Sequence, residues 1–293
     1  MERQRLLIID ANSLIHRAYH ALPPLSTSKG EKIWVVYGFL LVFLKALKEF
    51  KPSFVVAAFD LPGPTFRHKE FKDYKSQRAK APEDLYSQIP RVKEALKSFN
   101  VPVFEKEDFE ADDIIGAIAK NVSEADKEVE NIIISGDLDS LQLVDQNTKV
   151  YALKKGLKDT ILYDKERVKE RYNILPSQLV DFKALRGDPS DNIPGVNGIG
   201  EKTALQLIQK FGSLEKLYQE IESKNERARN LKGKLQEKLL LGKEQAFLSK
   251  MLVQIRRDIK IDFELKKCQW NYDREKVARF FRELEFNTLL KRI

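Results

Sequence analysis

Short apolar runs alternate with longer amphipathic stretches through the first half of the chain. Residues 6–9, 54–59 and 131–135 are dense in Ile, Val, Leu and Ala and lack the polar alternation of a half-exposed strand. That pattern predicts strands buried on both faces, as in a parallel sheet. Residues 101–104 and 148–152 read as two further strands, with Lys154-Lys155-Gly156 as a basic hairpin tip. Between them, the spacing predicts a strongly apolar, buried helix over 35–50, a helix over 83–99 kinked at Pro90, a helix over 110–121 and another starting near Leu138. Beyond Asp164 the pattern is mostly helical, with helices predicted over 177–186 and about 202–211. No internal repeat or low-complexity linker interrupts it. The expected fold is α/β, a mixed and mostly parallel sheet flanked by helices over 1–174, followed by a mainly helical region over 175–293.

Where the apolar runs stop, acids begin. Asp10 and Asp60 end two of the strands, Asp137 and Asp139 follow a third, Glu110, Asp112 and Asp113 open the helix after the short strand, and Asp188 and Asp191 sit in a later loop. The strand ends of a parallel sheet converge on one edge, where open α/β folds place their sites. Like charges share such an edge only if something neutralises them. Hard divalent cations with oxygen ligands do so, and Mg²⁺ in particular binds through a few carboxylates, water and substrate phosphate. Local explanations stand beside this one: acids at 110–113 suit a helix dipole, and Asp137 suits a helix cap.

Composition narrows the class. Hydrophobic residues make up 42% and charged residues 33%, and no apolar run reaches membrane-spanning length, so neither a signal peptide nor a membrane partner is expected. The single Cys268 excludes an intramolecular disulfide, and three histidines (His16, His20, His68) make a zinc site unpromising, with His16 and His20 read as ordinary helix-face residues. The net charge of +8 lies wholly beyond residue 200, where 22 Lys+Arg face 14 Asp+Glu. A neutral half with clustered acids beside a basic half suits a metal centre next to a polyanion-binding surface. Residues 65–82 add six basic residues against two acids, with Phe66, Phe71 and Tyr74 interleaved. Such a surface holds backbone phosphate and stacks unpaired bases; a solvated amphipathic helix covering the sheet is the plainer alternative.

The segment Gly195-Val-Asn-Gly198-Ile-Gly200-Glu-Lys202-Thr203 imitates two phosphate loops and matches neither. Glu201 separates Gly200 from Lys202, which breaks the P-loop pattern, and no strand precedes it as a dinucleotide fingerprint requires. Helix, glycine hairpin, helix describes a different device: Gly198 and Gly200 let backbone approach a duplex phosphate, and the next helix directs its N-terminal N–H groups there. Contacts of this kind position a duplex without reading its sequence.

Taken together, Ile9-Asp10-Ala-Asn-Ser-Leu with Arg17-Ala-Tyr-His, Phe59-Asp60, Phe66-Arg67, Tyr74-Lys75-Ser-Gln-Arg78, Glu110-Ala-Asp112-Asp113, Gly136-Asp137-Leu-Asp139 and Gly187-Asp188-Pro-Ser-Asp191-Asn-Ile-Pro-Gly resemble the 5′ nuclease domain of bacterial DNA polymerase I and the flap endonucleases. Similarity runs from the first strand to Leu284-Glu-Phe-Asn-Thr-Leu-Leu-Lys. The resemblance implies a PIN-like 5′ nuclease fold with a helical arch over 62–87 and a helix-hairpin-helix carrying K⁺. It also implies a first metal region served by Asp10, Asp60, Glu110, Asp112 and Asp113 and a second served by Asp137, Asp139, Asp188 and Asp191. Tyr74, Lys75 and Arg78 match the catalytic arch positions. Arg17, Arg67 and Tyr74, with Gly195, Gly198, Gly200, Lys202 and Thr203, are the implied DNA contacts.

The implied activity is Mg²⁺-dependent hydrolysis, with Mn²⁺ substituting, of DNA phosphodiesters at single-strand/duplex junctions by two metals, as in Okazaki fragment processing and repair. Expected partners are DNA with a 5′ flap, nick or 5′ end, RNA primer strands, and a separate polymerase and ligase. The expected setting is a monomer in bacterial cytoplasm. Ile33-Trp34-Val35 departs from the family's small residues, so contacts near the duplex branch point are expected to differ. The alternative is a structure-specific DNA-binding protein with an inactive site, in which loss of several acids is expected; none of the nine is missing.

Overall fold

Leu6 and Ile8 point to one face of their strand, Leu7 and Ile9 to the other, and both faces are buried. In the computed structural model, which describes residues 3–223, 231 and 233–293, this strand (β1, Arg5–Asp10) lies at the centre of a six-stranded sheet. The helix α1 (Ala11–Ala21) follows at once, capped by Asp10, and α2 (Trp34–Phe50) returns along the sheet to β2 (Phe54–Ala58). A cationic segment then carries two short helices, α3 (Phe66–Glu70) and α4 (Glu83–Tyr86), before α5 (Ile89–Ser98) and the two-residue β3 (Val103–Phe104). Next come α6 (Ala111–Ala125), β4 (Glu130–Ser135), a 3₁₀ helix over Leu138–Leu143, and the hairpin β5 (Thr148–Leu153) to β6 (Thr160–Tyr163). Strand order is β3-β2-β1-β4-β5-β6, parallel throughout except for β6.

The remaining chain is α7 (Lys165–Tyr172), α8 (Leu179–Arg186), α9 (Glu201–Phe211), α10 (Leu214–Glu222), α11 (Lys234–Leu241), α12 (Lys243–Val253), α13 (Arg274–Glu283) and α14 (Asn287–Leu290). Two apolar layers cover the sheet. Leu6, Ile8, Val56 and Ile133 join α6 and the helices α8 to α10 on one side. Leu7, Ile9, Val55 and Ile132 join α1, α2 and α5, together with Val277, Phe281 and Leu289 from the last two helices. Among the described residues no helix is long and apolar enough to cross a membrane.

Four expectations change. The arch over 62–87 is not a continuous helix: residues 71–82 run as turns and open chain between α3 and α4. Lys75 sits at φ 55° and its N–H donates to the Asp191 carbonyl at 2.9 Å, so the segment is tied to the loop below it instead of to its own preceding turn. The kinked helix over 83–99 is two helices, because Pro90 occupies the first turn of α5, where its missing N–H costs nothing. The helix near Leu138 is only the 3₁₀ turn. Finally, residues 254–264 are extended, not helical: Ile255, Ile259, Ile261 and Phe263 pack against the sheet's first layer with mostly polar residues between them, a spacing closer to two than to 3.6. Trp34, part of the departure from the family pattern, is 3% exposed and packs beside Tyr19 with ring centres 5.7 Å apart, so it serves the core.

Gly195 closes the loop that follows α8. Its φ is 64°, and a Cβ there would lie 2.3 Å from the Gly187 backbone nitrogen. Gly195→Ala is therefore expected to cost at least about 2 kcal/mol, since an L residue is strained at that φ and the neighbour is backbone that cannot swing aside. Urea unfolding reads this as a lower midpoint.

Candidate active site

The sheet order reverses direction at β1, which pairs with β2 on one side and β4 on the other. A crevice at the carboxyl ends of such strands is where α/β sheets open. The registers Asp10↔Ala58 and Ile9↔Ile134 align the three strand ends, so Asp10, Asp60 and Asp137 emerge side by side. The N-terminus of α6 brings Glu110 and Asp112 to the same place. The result is a cleft of about 480 Å³ whose wall includes Asp10, Asp60, Glu110, Asp112, Asp137, Asp139 and Asp191.

These acids fall into two electrostatic groups. Asp10, Asp60, Asp112 and Asp137 have no ion-pair partner among the described residues. Asp10 accepts from Ser135 Oγ at 2.5 Å and the Ser13 N–H at 3.1 Å; Asp60 accepts from the Ala111 N–H at 2.6 Å; Asp137 accepts from the Asp139 N–H at 2.9 Å. Burial, with the neighbouring charges of Asp60 and Asp137 added, pushes Asp10 up to about 7 against its hydrogen bonds. Burial and the charges of Asp10, Asp137 and Asp139 hold Asp112 well above the usual carboxylate range. Crowding of this kind makes it costly for all four carboxyls to be ionised together.

The second group is neutralised by the chain itself. Lys75 Nζ donates to Glu110 Oε1 at 2.7 Å, and against the raising effect of burial, Lys75 and Arg67 hold Glu110 below its ordinary value. Arg78 pairs with Asp191. Lys183, five residues before Asp188, bridges Asp139 and Asp188, the latter at 2.8 Å. Lys75 and Arg78 thus reach from the cationic segment to Glu110 and Asp191 in the cleft, from backbone that is turn and not helix.

Several expected site residues lie elsewhere or do something else. Asp113 is 0% exposed and does not line the cleft. It takes both guanidinium nitrogens of Arg67 at 2.7 and 2.8 Å, the Arg256 N–H at 2.8 Å and the Glu110 N–H at 3.1 Å. With four donors on two oxygens it has no capacity left for a metal, which corrects its placement among the first set of ligands. Arg67, expected on the DNA surface, is 2% exposed and spends its other donors on the Leu252 and Gln254 carbonyls. Tyr74 is 3% exposed, packed with Ile193, Leu252 and Val253, and donates to Glu110 Oε2 at 3.1 Å, so its ring offers no free face for a base. Gly195 is buried in the loop closure described above.

Other expected contacts are presented to solvent. Gly198, Gly200 and Lys202 are exposed and Thr203 is partly so, with Gly200 at the N-cap of α9. Arg17 lines the cleft, its NH2 donating to the Gly136 carbonyl at 3.0 Å. Beside it stand His16 and His20, which were read as ordinary helix-face residues; with Ser13 they share the cleft face of α1 with Arg17. The signal was present as a polar stripe at i, i+3, i+4 and i+7 following Asp10. Lys183 was missed because a lone lysine in an amphipathic helix carries no spacing signature.

Among the described residues no three or more Asp, Glu, His or Cys side chains are grouped so that they could hold a metal ion. Mg²⁺ asks for less, typically one or two carboxylates with several waters and substrate phosphate, and the unpaired quartet fits that donor set. The hairpin fits K⁺ less well, since the Gly198 carbonyl already accepts from Lys238 Nζ at 3.3 Å.

Comparison with known proteins agrees with this geometry. Residues 5–173 match the 5′-3′ exonuclease N-terminal resolvase-like domain and residues 174–276 the 5′-3′ exonuclease C-terminal SAM fold. DNA polymerase I of Bacillus subtilis (strain 168) is 43% identical over all of this chain, which spans 32% of that protein, and other polymerase I relatives are likewise covered to about a third. A 5′-3′ exonuclease of Aquifex aeolicus (strain VF5) is 37% identical over 98% of the chain and 94% of its own length. In fold, the T5 5′-exonuclease with bound divalent zinc ions aligns at a TM-score of 0.70 and 20% identity, covering 97% of this chain and 99% of the other. Domain matches across most of the sequence, an exonuclease relative matched nearly end to end, and acids gathered at the sheet's switch point lead to one conclusion: this chain belongs to the 5′-3′ exonuclease family.

Proposed function

We propose that the protein is a Mg²⁺-dependent nuclease that hydrolyses DNA phosphodiesters where a 5′ single strand meets a duplex, leaving a 5′-phosphorylated end. The observation that carries this reading is the quartet of un-neutralised carboxylates, Asp10, Asp60, Asp112 and Asp137, on the rim of one cleft. Two Mg²⁺ ions, when bound, would polarise the scissile phosphate and supply hydroxide from water near neutral pH. Asp10, Asp112 and Asp137 are the residues that would hold them, with Asp60, Asp139, Asp188 and Asp191 supporting directly or through water. Lys75 and Arg78 stand at the mouth of the same cleft, where the phosphate's developing charge would draw them from Glu110 and Asp191. The exposed backbone at Gly198 and Gly200, with the N-terminus of α9, would grip the duplex by its phosphates.

DNA partnership is supported by the related Rad2 catalytic core, whose fold this chain shares at a TM-score of 0.60 and which was solved with DNA substrate. Purified protein given a labelled 5′-flap duplex is expected to release the flap with Mg²⁺ or Mn²⁺ and to stop on addition of EDTA. A flap bound but left intact with Mg²⁺ contradicts the reading and favours a binding protein with an inactive centre.

A further inference from the structure

Gly136 and Arg17 form a shared wall between the acid cleft and a second concavity of about 310 Å³ at the base of the β5–β6 hairpin. Arg17, Lys154, Lys155 and Arg171 line it, and no carboxylate does. The contrast with the acid cleft is sharp: there Lys75 and Arg78 are each paired with an acid, whereas among the described residues none of these four cations has an ion-pair partner.

Two of the four are held in place by neutral groups. Arg17 NH2 donates to the carbonyls of Gly136 and Leu153 at 3.0 and 3.2 Å. Arg171 NH1 donates to Tyr163 Oη at 2.6 Å, and its guanidinium lies 5.3 Å from the centre of the Tyr172 ring. Tyr163 itself is 2% exposed, so the anchor is rigid. Fixing a guanidinium through neutral partners keeps its full charge and its remaining N–H donors, while removing much of the rotamer entropy that an anion would otherwise have to quench. Lys154 and Lys155 are exposed on the hairpin tip, which turns at Gly156 with φ 62°. Arg171 also borders the adjoining groove, whose lining includes Arg186 of α8 and Glu201 of α9. The concavity therefore lies between the acids and the helix-hairpin-helix.

We propose that this pocket is a second phosphate site, seating one phosphate of the bound nucleic-acid strand between the acid cleft and the glycine hairpin. It rests on the nuclease reading above and adds a fixed point of register: a phosphate held there sets how far the duplex grip lies from the scissile bond. A concave, four-cation lining without counter-charge suits the oxyanion of a backbone phosphate, and a charged-group hydrogen bond from a preset guanidinium is among the stronger polar contacts.

The test uses nicked and flapped duplexes in which a methylphosphonate replaces one phosphate at a time, together with a pair of duplexes ending in 5′-phosphate or 5′-hydroxyl. Binding is measured for the intact protein, Arg171→Ala and the double variant Lys154→Ala/Lys155→Ala, with EDTA present so that nothing is cleaved. The intact protein is expected to lose about tenfold in affinity at one methylphosphonate position, and the variants to be insensitive there. Removing one phosphate contact also lowers the log–log salt slope by about 1. If the seat takes a terminal phosphate instead of an internal one, the same coupling appears in the 5′-phosphate and 5′-hydroxyl pair. Identical profiles for the intact protein and both variants, with unchanged melting temperatures, overturn the proposal. Failure of the nuclease reading looks different: the intact protein with Mg²⁺ would then leave every one of these duplexes uncut.

Discussion

Asp112→Asn is expected to lower flap cleavage by about a thousandfold, about 4 kcal/mol of transition-state stabilisation, without lowering the melting temperature. Asp112 lines the cleft with no hydrogen-bond or ion-pair partner among the described residues, and burial plus the charges of Asp10, Asp137 and Asp139 already disfavour its ionised form. Asparagine keeps the shape and removes one member of a mutually repelling set, so the metal-free fold should be as stable or more stable, as is common where a site trades stability for activity. DNA binding in EDTA should be unchanged or slightly tighter. Single-turnover cleavage and differential scanning calorimetry on the same preparation check both halves. A variant with near-normal turnover removes Asp112 from the catalytic acids. One that loses turnover and also melts much earlier would make it a structural residue instead.

One position further on, the expectation inverts. Asp113→Ala is expected to destabilise the protein by about 3–5 kcal/mol, because it strands the Arg67 guanidinium in a site where both are buried. For a chain of this size that is a fall of roughly 10 °C in melting temperature. Arg67 is tied to α12 through the Leu252 carbonyl and to the following segment through that of Gln254, while Arg256 donates its N–H to Asp113. The pair thus fastens the cationic segment, the start of α6 and the exit from the helical region to one point. The Mg²⁺ concentration giving half-maximal cleavage should be unchanged below the melting transition. A large rise in that concentration without loss of stability would restore Asp113 to the metal ligands.

The contrast between these neighbours marks what the sequence made legible. Strands buried on both faces were readable from runs such as Leu-Leu-Ile-Ile, because burial of a central parallel strand leaves no polar alternation, and the convergence of Asp10, Asp60 and Asp137 followed from strand ends sharing an edge. Which acid faces the cleft was not readable. Asp112 and Asp113 differ only by one step of about 100° around α6, and the arginine that claims Asp113 lies 46 residues away. The cationic segment misled for a related reason: Lys75, Arg78 and Tyr74 do line the cleft, yet the Lys75 turn is tied to the Asp191 carbonyl and its side chain to Glu110, which local propensity does not contain. Tyr74 was expected to meet bases because it sits among lysines; the apolar patch of Ile193, Leu252 and Val253 that buries it comes from distant parts of the chain.

The central claim is that three of the four un-neutralised carboxylates, with Asp60 in support, hold catalytic metal in one cleft, and anomalous diffraction from crystals soaked in Mn²⁺ tests it most directly. The account predicts anomalous peaks bordered by Asp10, Asp112 and Asp137, with Asp113 still closed on Arg67. A cleft without a peak at Mn²⁺ concentrations that support cleavage in solution, or ions bound only at acids outside it, would contradict the account.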